Sequence, residues 1–202
     1  MEIKPAEKEN ARDLAQLINI AGEGIPEYIW RRMIEADESW LDVGTRRAAG
    51  EDSGFSYTNA RICVEHNTFL GMLIAYKQPD PYLIEVLSEC PDIVQPLIEL
   101  ESGAAGSWYI NAIATYEDHR EKGVARELLA DTQQLAIVKS CQLMSLIVAS
   151  DNVAAKKLYE YLGFQAIASL PITPYPGSTH NGDWILMTCK VNQRSQTETV
   201  VD

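Results

Sequence analysis

Several patterns that would assign a function at once are missing from this sequence. The four cysteines form no C-x-x-C pair and have no His at ligand spacing, which argues against a zinc site or a disulfide framework. They are Cys63, Cys90, Cys141 and Cys189. No Walker Gly-x-x-x-x-Gly-Lys-Ser/Thr loop and no Gly-x-Gly-x-x-Gly loop is present, so neither a nucleotide triphosphatase nor a dinucleotide fold is supported. We therefore expect no bound metal.

Long hydrophobic runs are also missing. The longest, such as LIVA at 146–149, are far too short to span a bilayer. The opening MEIKPAEKEN contains no apolar signal segment. We expect a cytoplasmic, reducing setting and no membrane partner.

Basic residues are scarce, because 17 Lys and Arg stand against 29 Asp and Glu, for a net charge of -12. Such a surface repels the phosphates of nucleic acids and anionic membranes, so we expect no nucleic acid partner. The charge mildly favours a cationic or amine-bearing small substrate. An acidic surface that only keeps a bacterial-type cytosolic enzyme soluble explains the same charge equally well.

The length of 202 residues and the hydrophobic content of 46% favour one domain with a sizeable core. We place it at residues 1–191. Within it, residues 78–106 carry four prolines and many acids, with one short helix near 93–100. This segment is too short for a core of its own, so we predict an insertion or a lid. The polar, unpatterned residues 192–202 predict a disordered tail.

The first half of the chain predicts a strand, three helices and a hairpin. EIKPA is a strand candidate, and ENARDLAQLINIAG, IPEYIWRRMIEA and ESWLDVGTRRAA have the apolar spacing of helices. ARICVEH and TFLGMLIAYKQ flank the turn-prone pair His66 and Asn67, which indicates an antiparallel hairpin.

The second half predicts a parallel crossover followed by a helix and two paired strands. SWYINAIAT, GVARELLADTQQLAIVKS and QLMSLIVAS read as strand, helix and buried strand. Ser150 or Asp151 can cap the helix of NVAAKKLYEYL, and Gly163 suits its left-handed end. FQAIASL and DWILMTCKV supply the last two strands.

The loop YEDHREKGVA joins a predicted strand to a predicted helix and has the pattern Arg-x-x-Gly-x-Ala at Arg120, Gly123 and Ala125. The N-terminus of a helix offers unpaired amides and a positive dipole end, which together can bind an anion. Gly123 leaves room for close approach to the backbone. The pattern favours a pyrophosphate site, although a plain surface helix start has the same pattern by chance.

A second motif thirty residues downstream decides between these alternatives. DNVAAKKLYEYLGF places Asn152 at a helix start, Tyr159 seven residues later and Gly163 at the helix end. Together with INAIATYEDHREKGVARELL, it resembles the two most recognisable motifs of the GNAT superfamily of N-acetyltransferases. The close resemblance covers about residues 107–168, and the earlier elements agree in order.

The resemblance implies an α/β (α+β) fold with a mixed, twisted, mostly antiparallel sheet, flanking helices and central parallel strands that splay apart around acetyl-CoA. It implies that backbone groups of one strand pair with the pantetheine arm and that the following loop and helix start hold the pyrophosphate. The cofactor-binding residues expected on this basis are Ile113, Ala114, Thr115, Arg120, Glu121, Lys122, Gly123, Val124, Ala125, Arg126 and Asn152.

Two positions depart from the family pattern. Thr115 stands where many members have Val, which should change little because the backbone makes the contact. Glu121 adds a carboxylate beside the phosphates, and Lys122 and Arg126 can partly offset it. Neither departure removes the expected site.

The resemblance further implies an N-acetyltransferase that moves the acetyl group of acetyl-CoA directly to a primary amine. Tyr159 would be the general acid for the thiolate, or else a core aromatic at helical spacing. A backbone amide at Thr115 or its neighbour would stabilise the oxyanion. The alternative function is a non-catalytic acyl-CoA-binding module that senses or recruits.

The general base stays open at this stage, and a water relay is one solution. The candidates are Glu85, Glu99, Glu101, Glu117, His119 and His180. The acceptor, a small-molecule or peptide amine, is expected between the first helices and the loop before the last strand. Glu23, Glu27, Tyr28 and Trp30 either meet its cation or pack within the helices. A homodimer is possible by analogy with similar proteins.

Overall fold

The computed structural model of the protein describes residues 1–83, 90–178 and 180–191. Its strands are β1 Glu2–Pro5, β2 Ala60–Glu65, β3 Thr68–Lys77, β4 Trp108–Thr115, β5 Leu143–Ala149, β6 Gln165–Pro171 and β7 Asp183–Lys190. Its α-helices are α1 Ala11–Ala21, α2 Ile25–Trp30, α3 Trp40–Ala49, α4 Gln95–Ser102, α5 Val124–Val138 and α6 Val153–Tyr161. Each was predicted from the sequence, and the predicted fold class is confirmed.

The strands form one sheet in the order β1-β2-β3-β4-β5-β7-β6. Neighbouring strands are antiparallel except β4 and β5, which run parallel as the crossover through α5 predicts. His66 and Asn67 both have a positive φ in the turn between β2 and β3, as a two-residue hairpin turn requires. The sheet is therefore mixed and mostly antiparallel.

The parallel pair at the centre of the sheet is short. β4 and β5 are paired only from Trp108 opposite Met144 to Ile110 opposite Leu146. Beyond Ile110 and Leu146 the two strands, both fully described, share no further pairing. The splayed centre implied by the family resemblance is confirmed.

A bulge in β4 marks the point where the strands separate. Ala75 of β3 pairs with Ile110 and the adjacent Ile74 pairs with Ala112, so Asn111 is an extra residue. A bulge bends its strand and increases the local twist. The bend falls one residue beyond the last pairing between β4 and β5, and we attribute the separation of the strands to it.

The same bulge changes which face of the sheet β4 presents. Residues two apart in a regular strand share a face. Ile110 nevertheless packs in the core beneath α5 and α6, whereas Ala112 and Ala114 pack in the core beneath α1 and α3. Ile113 turns back toward the α5 side. At the end of β4, Ala112 and Ala114 therefore face the layer of α1 and α3, and Ile113 faces the layer of α5 and α6.

Two predictions about helix limits are corrected by the structure. The cap of α6 is Asn152, whose Oδ1 accepts from the Ala155 amide at 3.2 Å, and not Ser150 or Asp151. Ser150 Oγ instead accepts from the amide of Asp183 at 2.9 Å. The predicted helix IPEYIWRRMIEA ends earlier, because α2 stops at Trp30 and a 3₁₀ turn follows over Arg31–Met33.

Parts of two predictions lie outside the described residues. These are residues 84–89 of the segment predicted to be an insertion or a lid, which include Glu85, and the predicted tail 192–202. In the described part of residues 78–106, α4 begins and ends two residues later than predicted, and the assignment of this segment as an insertion or a lid stays a prediction. The assignment of residues 1–191 to a single domain stays a prediction.

Gly44 tests how tightly α3 packs against α2. A Cβ at this position would lie 2.4 Å from Cζ3 of Trp30, whose side chain is buried. Ala is favoured over Gly within a helix by about 1 kcal/mol, but overpacking a core costs about 1–3 kcal/mol. We expect Gly44→Ala to lower the free energy of unfolding, measured by urea denaturation.

Gly50→Ala is the matched control. A Cβ there meets only the carbonyl oxygens of Arg47 and Arg46, at 3.4 and 3.8 Å. We expect a change close to zero. A Gly44→Ala variant as stable as the Gly50→Ala variant would contradict the tight contact with Trp30.

Candidate active site

The splay between β4 and β5 opens into a cavity of about 680 Å³, named here the splay cavity. Its walls are the ends of β4 and β5, the loop before α5 and the inner face of α6. Eight predicted site residues line it: Ile113, Ala114, Thr115, Arg120, Glu121, Ala125, Asn152 and Tyr159. The structure therefore brings together residues from both sequence motifs.

Four other predicted cofactor residues stand at or behind the wall of the splay cavity. The Val124 side chain is buried in the core, so only its backbone can face a ligand. Lys122 and Arg126 are exposed, and Lys122 Nζ donates to the carbonyl oxygen of Asp118 at 2.7 Å. Gly123 is the N-cap of α5. The loop thus offers backbone amides and exposed cations.

The backbone at Gly123 fits an anion site. Its φ is +84°, a region that favours glycine, and a Cβ placed there would have no protein atom within 4 Å. No side chain caps the helix at this residue. The amides of the first turn of α5 therefore face open space at the positive end of the helix dipole.

Glu121 stands two residues before Gly123 and also has a positive φ, of 62°. Its side chain is exposed, so water and salt screen its charge from a group bound at the helix start. The loop therefore tolerates the carboxylate that departs from the family pattern.

Tyr159 is both a packed core residue and a residue of the cavity wall, so it is compatible with both roles considered for it, a core aromatic and a general acid. Its side chain is 7% exposed and its ring packs against Phe164, with the centroids 5.9 Å apart. It also lines the splay cavity. Burial raises the pKa of Tyr159 well above its ordinary value, and the charge of Glu23 adds to the effect. The phenol stays protonated at neutral pH, as a proton donor must.

Glu23 was missed as a candidate base because it was assigned to acceptor binding. It lies between α1 and α2 and lines the splay cavity together with Tyr159. Its Oε1 accepts from Asn152 Nδ2 at 3.2 Å, and its Oε2 contacts His180 Nε2. His180 Nδ1 lies 2.5 Å from Asp151 Oδ1. Two loops far apart in sequence meet here, so no local pattern pointed to the cluster.

The other base candidates lie elsewhere. Glu101 is bound by the hydroxyls of Tyr82 and Tyr109 at 2.9 and 3.1 Å, away from the splay cavity. Glu99 lines a separate surface cavity beside α4. Glu117 and His119 belong to the turn after β4 and do not line the splay cavity. Of the described candidates, only His180 approaches it.

A second cavity, of about 180 Å³, lies on the α1 and α2 side of the splay and is named here the apolar cavity. It shares Ala21, Ile147 and Trp184 with the splay cavity. The rest of its lining is mostly hydrophobic, including the predicted acceptor residue Trp30, and its one charged residue is Arg47. A bound molecule could therefore extend from one cavity into the other.

Two buried donors belong to the lining of the apolar cavity. Neither Arg47 Nε nor Trp184 Nε1 has a hydrogen-bond partner in the described part of the chain. Glu27 and Tyr28, the remaining predicted acceptor residues, point elsewhere. Glu27 contacts Arg31 and Asn19. The guanidinium carbon of Arg32 lies 3.7 Å from the centroid of the Tyr28 ring.

No group of three or more metal-binding side chains is found in the described ranges. Among those same residues, no helix has the length and apolar character needed to cross a membrane.

Comparison with known proteins matches the model of the acetyltransferase (GNAT) family to residues 23–164. A curated relative, the uncharacterized N-acetyltransferase YycN of Bacillus subtilis (strain 168), is 40% identical over 57 residues, which are 28% of this chain and 36% of that protein. The matched part thus spans about a third of that relative.

Solved structures share the fold over nearly the whole chain. An N-acetyltransferase from Staphylococcus aureus Mu50 has a TM-score of 0.62 at 18% identity and covers 93% of this chain and 100% of its own. The yncA protein from Salmonella typhimurium, solved with acetyl-CoA, has a TM-score of 0.59 at 15% identity and covers 98% of each chain. The resemblance inferred from the two motifs is confirmed, and the chain belongs to the acetyltransferase (GNAT) family.

Proposed function

We propose that this protein is an N-acetyltransferase that moves an acetyl group from acetyl-CoA directly to a primary amine. The observation that carries the proposal is the splay cavity, where the ends of β4 and β5, the start of α5 and Tyr159 face one space. Family membership and the similar fold solved with acetyl-CoA support the choice of donor. The cytoplasmic setting and a homodimer stay predictions.

The described residues fit acetyl-CoA. The open backbone at Gly123 and the amides of Val124, Ala125 and Arg126 suit the pyrophosphate. Along β4, the edge from Ile113 to Thr115 that faces β5 is unpaired, which leaves backbone groups for the amides of the pantetheine arm. Asn152 lines the splay cavity while it donates to Glu23 and caps α6, and its contact with the cofactor stays a prediction.

Acetyl-CoA supplies an activated acetyl thioester. The chain supplies position, proton transfer and a donor for developing negative charge. Tyr159 is proposed to protonate the leaving thiolate, since its phenol is held protonated at the wall of the splay cavity. The backbone amide of Thr115 or its neighbour is proposed to donate to the oxyanion.

The apolar cavity is proposed to take the body of the acceptor. A cavity whose charged residue is Arg47 disfavours a polyamine, because two like charges would meet in a site of low dielectric constant. The unpartnered donors of Arg47 and Trp184 suit an anionic or carbonyl oxygen. We therefore propose an amine with an apolar body and a carboxylate or carbonyl group, either a small molecule or a peptide end.

An amine panel tests the function. Thiol release from acetyl-CoA is measured with polyamines, aminoglycosides, apolar amino acids and short peptides. Apolar amino acids or apolar peptide ends should give the highest kcat/KM. Arg47→Gln should lower that value by about 10- to 100-fold, the equivalent of about 1.5–3 kcal/mol for a hydrogen bond to a charged group.

Arg46→Gln is the matched control for Arg47→Gln, since Arg46 is exposed and pairs with Glu38 instead. Polyamines as the best acceptors would contradict the proposed acceptor class. Binding of acetyl-CoA without thiol release from any amine would favour the non-catalytic module.

Tyr159→Phe tests the proton donor. The change removes one hydroxyl and keeps the ring against Phe164. We expect kcat to fall by about 10²-fold or more, with little change in the affinity for acetyl-CoA. Tyr161→Phe is the control, because Tyr161 is 75% exposed on the same helix. An unchanged kcat in Tyr159→Phe would remove the acid role.

Gly123→Val tests the phosphate site. The change places a branched side chain over the open amides and strains a left-handed backbone. Acetyl-CoA should then no longer raise the Tm of the protein. Gly177→Val carries the same strain, at φ +95° with no atom within 4 Å, but lies away from the splay cavity. Acetyl-CoA should still stabilise that control, and stabilisation of both variants would rule out the site.

A further inference from the structure

We propose that Glu23 is the general base for acetyl transfer and that His180 and Asp151 connect its carboxylate to solvent. The inference rests on the proposed function, because it concerns the deprotonation of the amine in that reaction. Three observations support it: the position of Glu23, the contacts of its carboxylate, and the increase in side-chain exposure from Glu23 through His180 to Asp151.

Glu23 lines the splay cavity and follows directly on Ala21 and Gly22, which line the apolar cavity. It lines the splay cavity with Tyr159, and Ala21, two residues earlier, lines both cavities. An acceptor whose body fills the apolar cavity would bring its amine past this point. The carboxylate and the phenol therefore share one space, as a proton acceptor and a proton donor for one transfer must.

Both the carboxylate and the backbone of Glu23 are held by neighbouring residues. Asn152 Nδ2 donates to Oε1 at 3.2 Å, and Asn152 is itself fixed as the cap of α6. The backbone at Glu23 has a φ of +55°, uncommon for a residue with a side chain. The Tyr175 hydroxyl donates to the Glu23 carbonyl oxygen at 2.8 Å. A strained residue held by its surroundings is more often found at a functional site than elsewhere.

The contacts continue from Glu23 to the surface. Glu23 Oε2 contacts His180 Nε2, and His180 Nδ1 lies 2.5 Å from Asp151 Oδ1. The exposed fraction of these side chains rises along the path, from 14% for Glu23 to 20% for His180 and 45% for Asp151. One nitrogen of the imidazole lies within ion-pair distance of Glu23 Oε2, which forms no aligned hydrogen bond in the described part of the chain, and the other nitrogen is hydrogen-bonded to Asp151. The imidazole is therefore placed to accept a proton on the Glu23 side and to release one on the Asp151 side.

The environment makes Glu23 a stronger base than an exposed carboxylate. Burial raises the pKa of its carboxyl, and the charge of Asp151 adds to the rise, while His180 and the hydrogen bond from Asn152 oppose it. Arg120, Glu121 and Tyr159 are the other titratable groups that line the splay cavity. A carboxylate with a raised pKa accepts protons closer to neutral pH.

The protons and bonds balance in the proposed step. Glu23 takes one proton from the ammonium form of the acceptor, and the freed lone pair of the nitrogen forms the new bond to the acetyl carbon. The carbon–sulfur bond breaks, and Tyr159 gives its proton to the thiolate. The nitrogen then loses a second proton, which restores the phenol, while the first proton leaves through His180 and Asp151.

A structural role for Glu23 is the competing explanation, because its contacts also tie the loop before α2 to the loop before β7. Glu23→Gln separates the two. The amide keeps the size of the side chain and an oxygen for Asn152, but it cannot accept the proton. If Glu23 only ties the two loops together, Glu23→Gln should lower the Tm. If Glu23 is the base, the variant should lower kcat and leave the Tm close to that of the wild-type protein.

The test compares Glu23→Gln with Glu160→Gln, which removes an exposed carboxylate next to Tyr159 in sequence. Thiol release is followed with the best amine of the panel and with water as acceptor, so that a rate is available in either case. Glu23→Gln should lower kcat by about 10²-fold or more and remove the rise of kcat/KM with pH that belongs to the base. Its Tm shift with acetyl-CoA should match that of the wild-type protein, and Glu160→Gln should behave as wild type.

A readout independent of turnover uses ¹³C NMR of the glutamate side-chain carboxyls. The Glu23 signal, assigned by its loss in Glu23→Gln, should titrate above the exposed glutamates. His180→Asn should move that midpoint and the acidic limb of kcat/KM upward together, because the imidazole opposes the rise of the Glu23 pKa.

Failure of this proposal differs from failure of the proposed function. Wild-type turnover in Glu23→Gln, or a Glu23 carboxyl that titrates like the exposed ones, would overturn the base role and leave the acetyltransferase intact. A wild-type protein that binds acetyl-CoA but releases no thiol with any amine or with water would contradict both. Loss of the Tm shift in Glu23→Gln would assign the residue to cofactor binding instead.

Discussion

One extra residue in β4 governs the site. The bulge at Asn111 bends the strand next to its last pairing with β5, so the two parallel strands separate with unpaired backbone between them. It also turns Ile113 and the alanines beside it toward opposite layers of the molecule. Without that residue, β4 and β5 could continue their ladder and close the space that the cofactor is proposed to fill.

The cavities on the two faces follow from the same opening. The start of α5, the inner face of α6 and the end of α1 border the splay cavity, and α1, α2 and α3 border the apolar cavity. Tyr159 and Glu23 line the splay cavity, and Arg47 lines the apolar cavity. A chain with a net charge of -12 thus keeps a cation in the largely apolar space proposed for the acceptor, so the overall charge is a poor guide to the proposed substrate.

Much of this could be predicted from the sequence, for physical reasons. Helices and strands with clear apolar spacing, and the loop around Gly123, are local patterns, so their limits were found to within a few residues. The cap of α6 was misplaced because Ser150, Asp151 and Asn152 can all cap a helix, and only the approach of Asp183 and His180 decides among them. The cluster around Glu23 depends on the meeting of distant loops, which local spacing does not encode.

The short connection between α1 and α2 has a consequence for how this protein can change. The connection carries Glu23, whose carboxylate is proposed to take the proton, and it leads directly into α2, whose Ile25 and Ile29 line the apolar cavity. We expect a substitution that reshapes this wall for another amine to shift Glu23 as well, because the two are joined by one short connection. If Glu23 is the base, acceptor selectivity and reaction rate are coupled, and a variant that accepts a new amine should at first have a lower kcat.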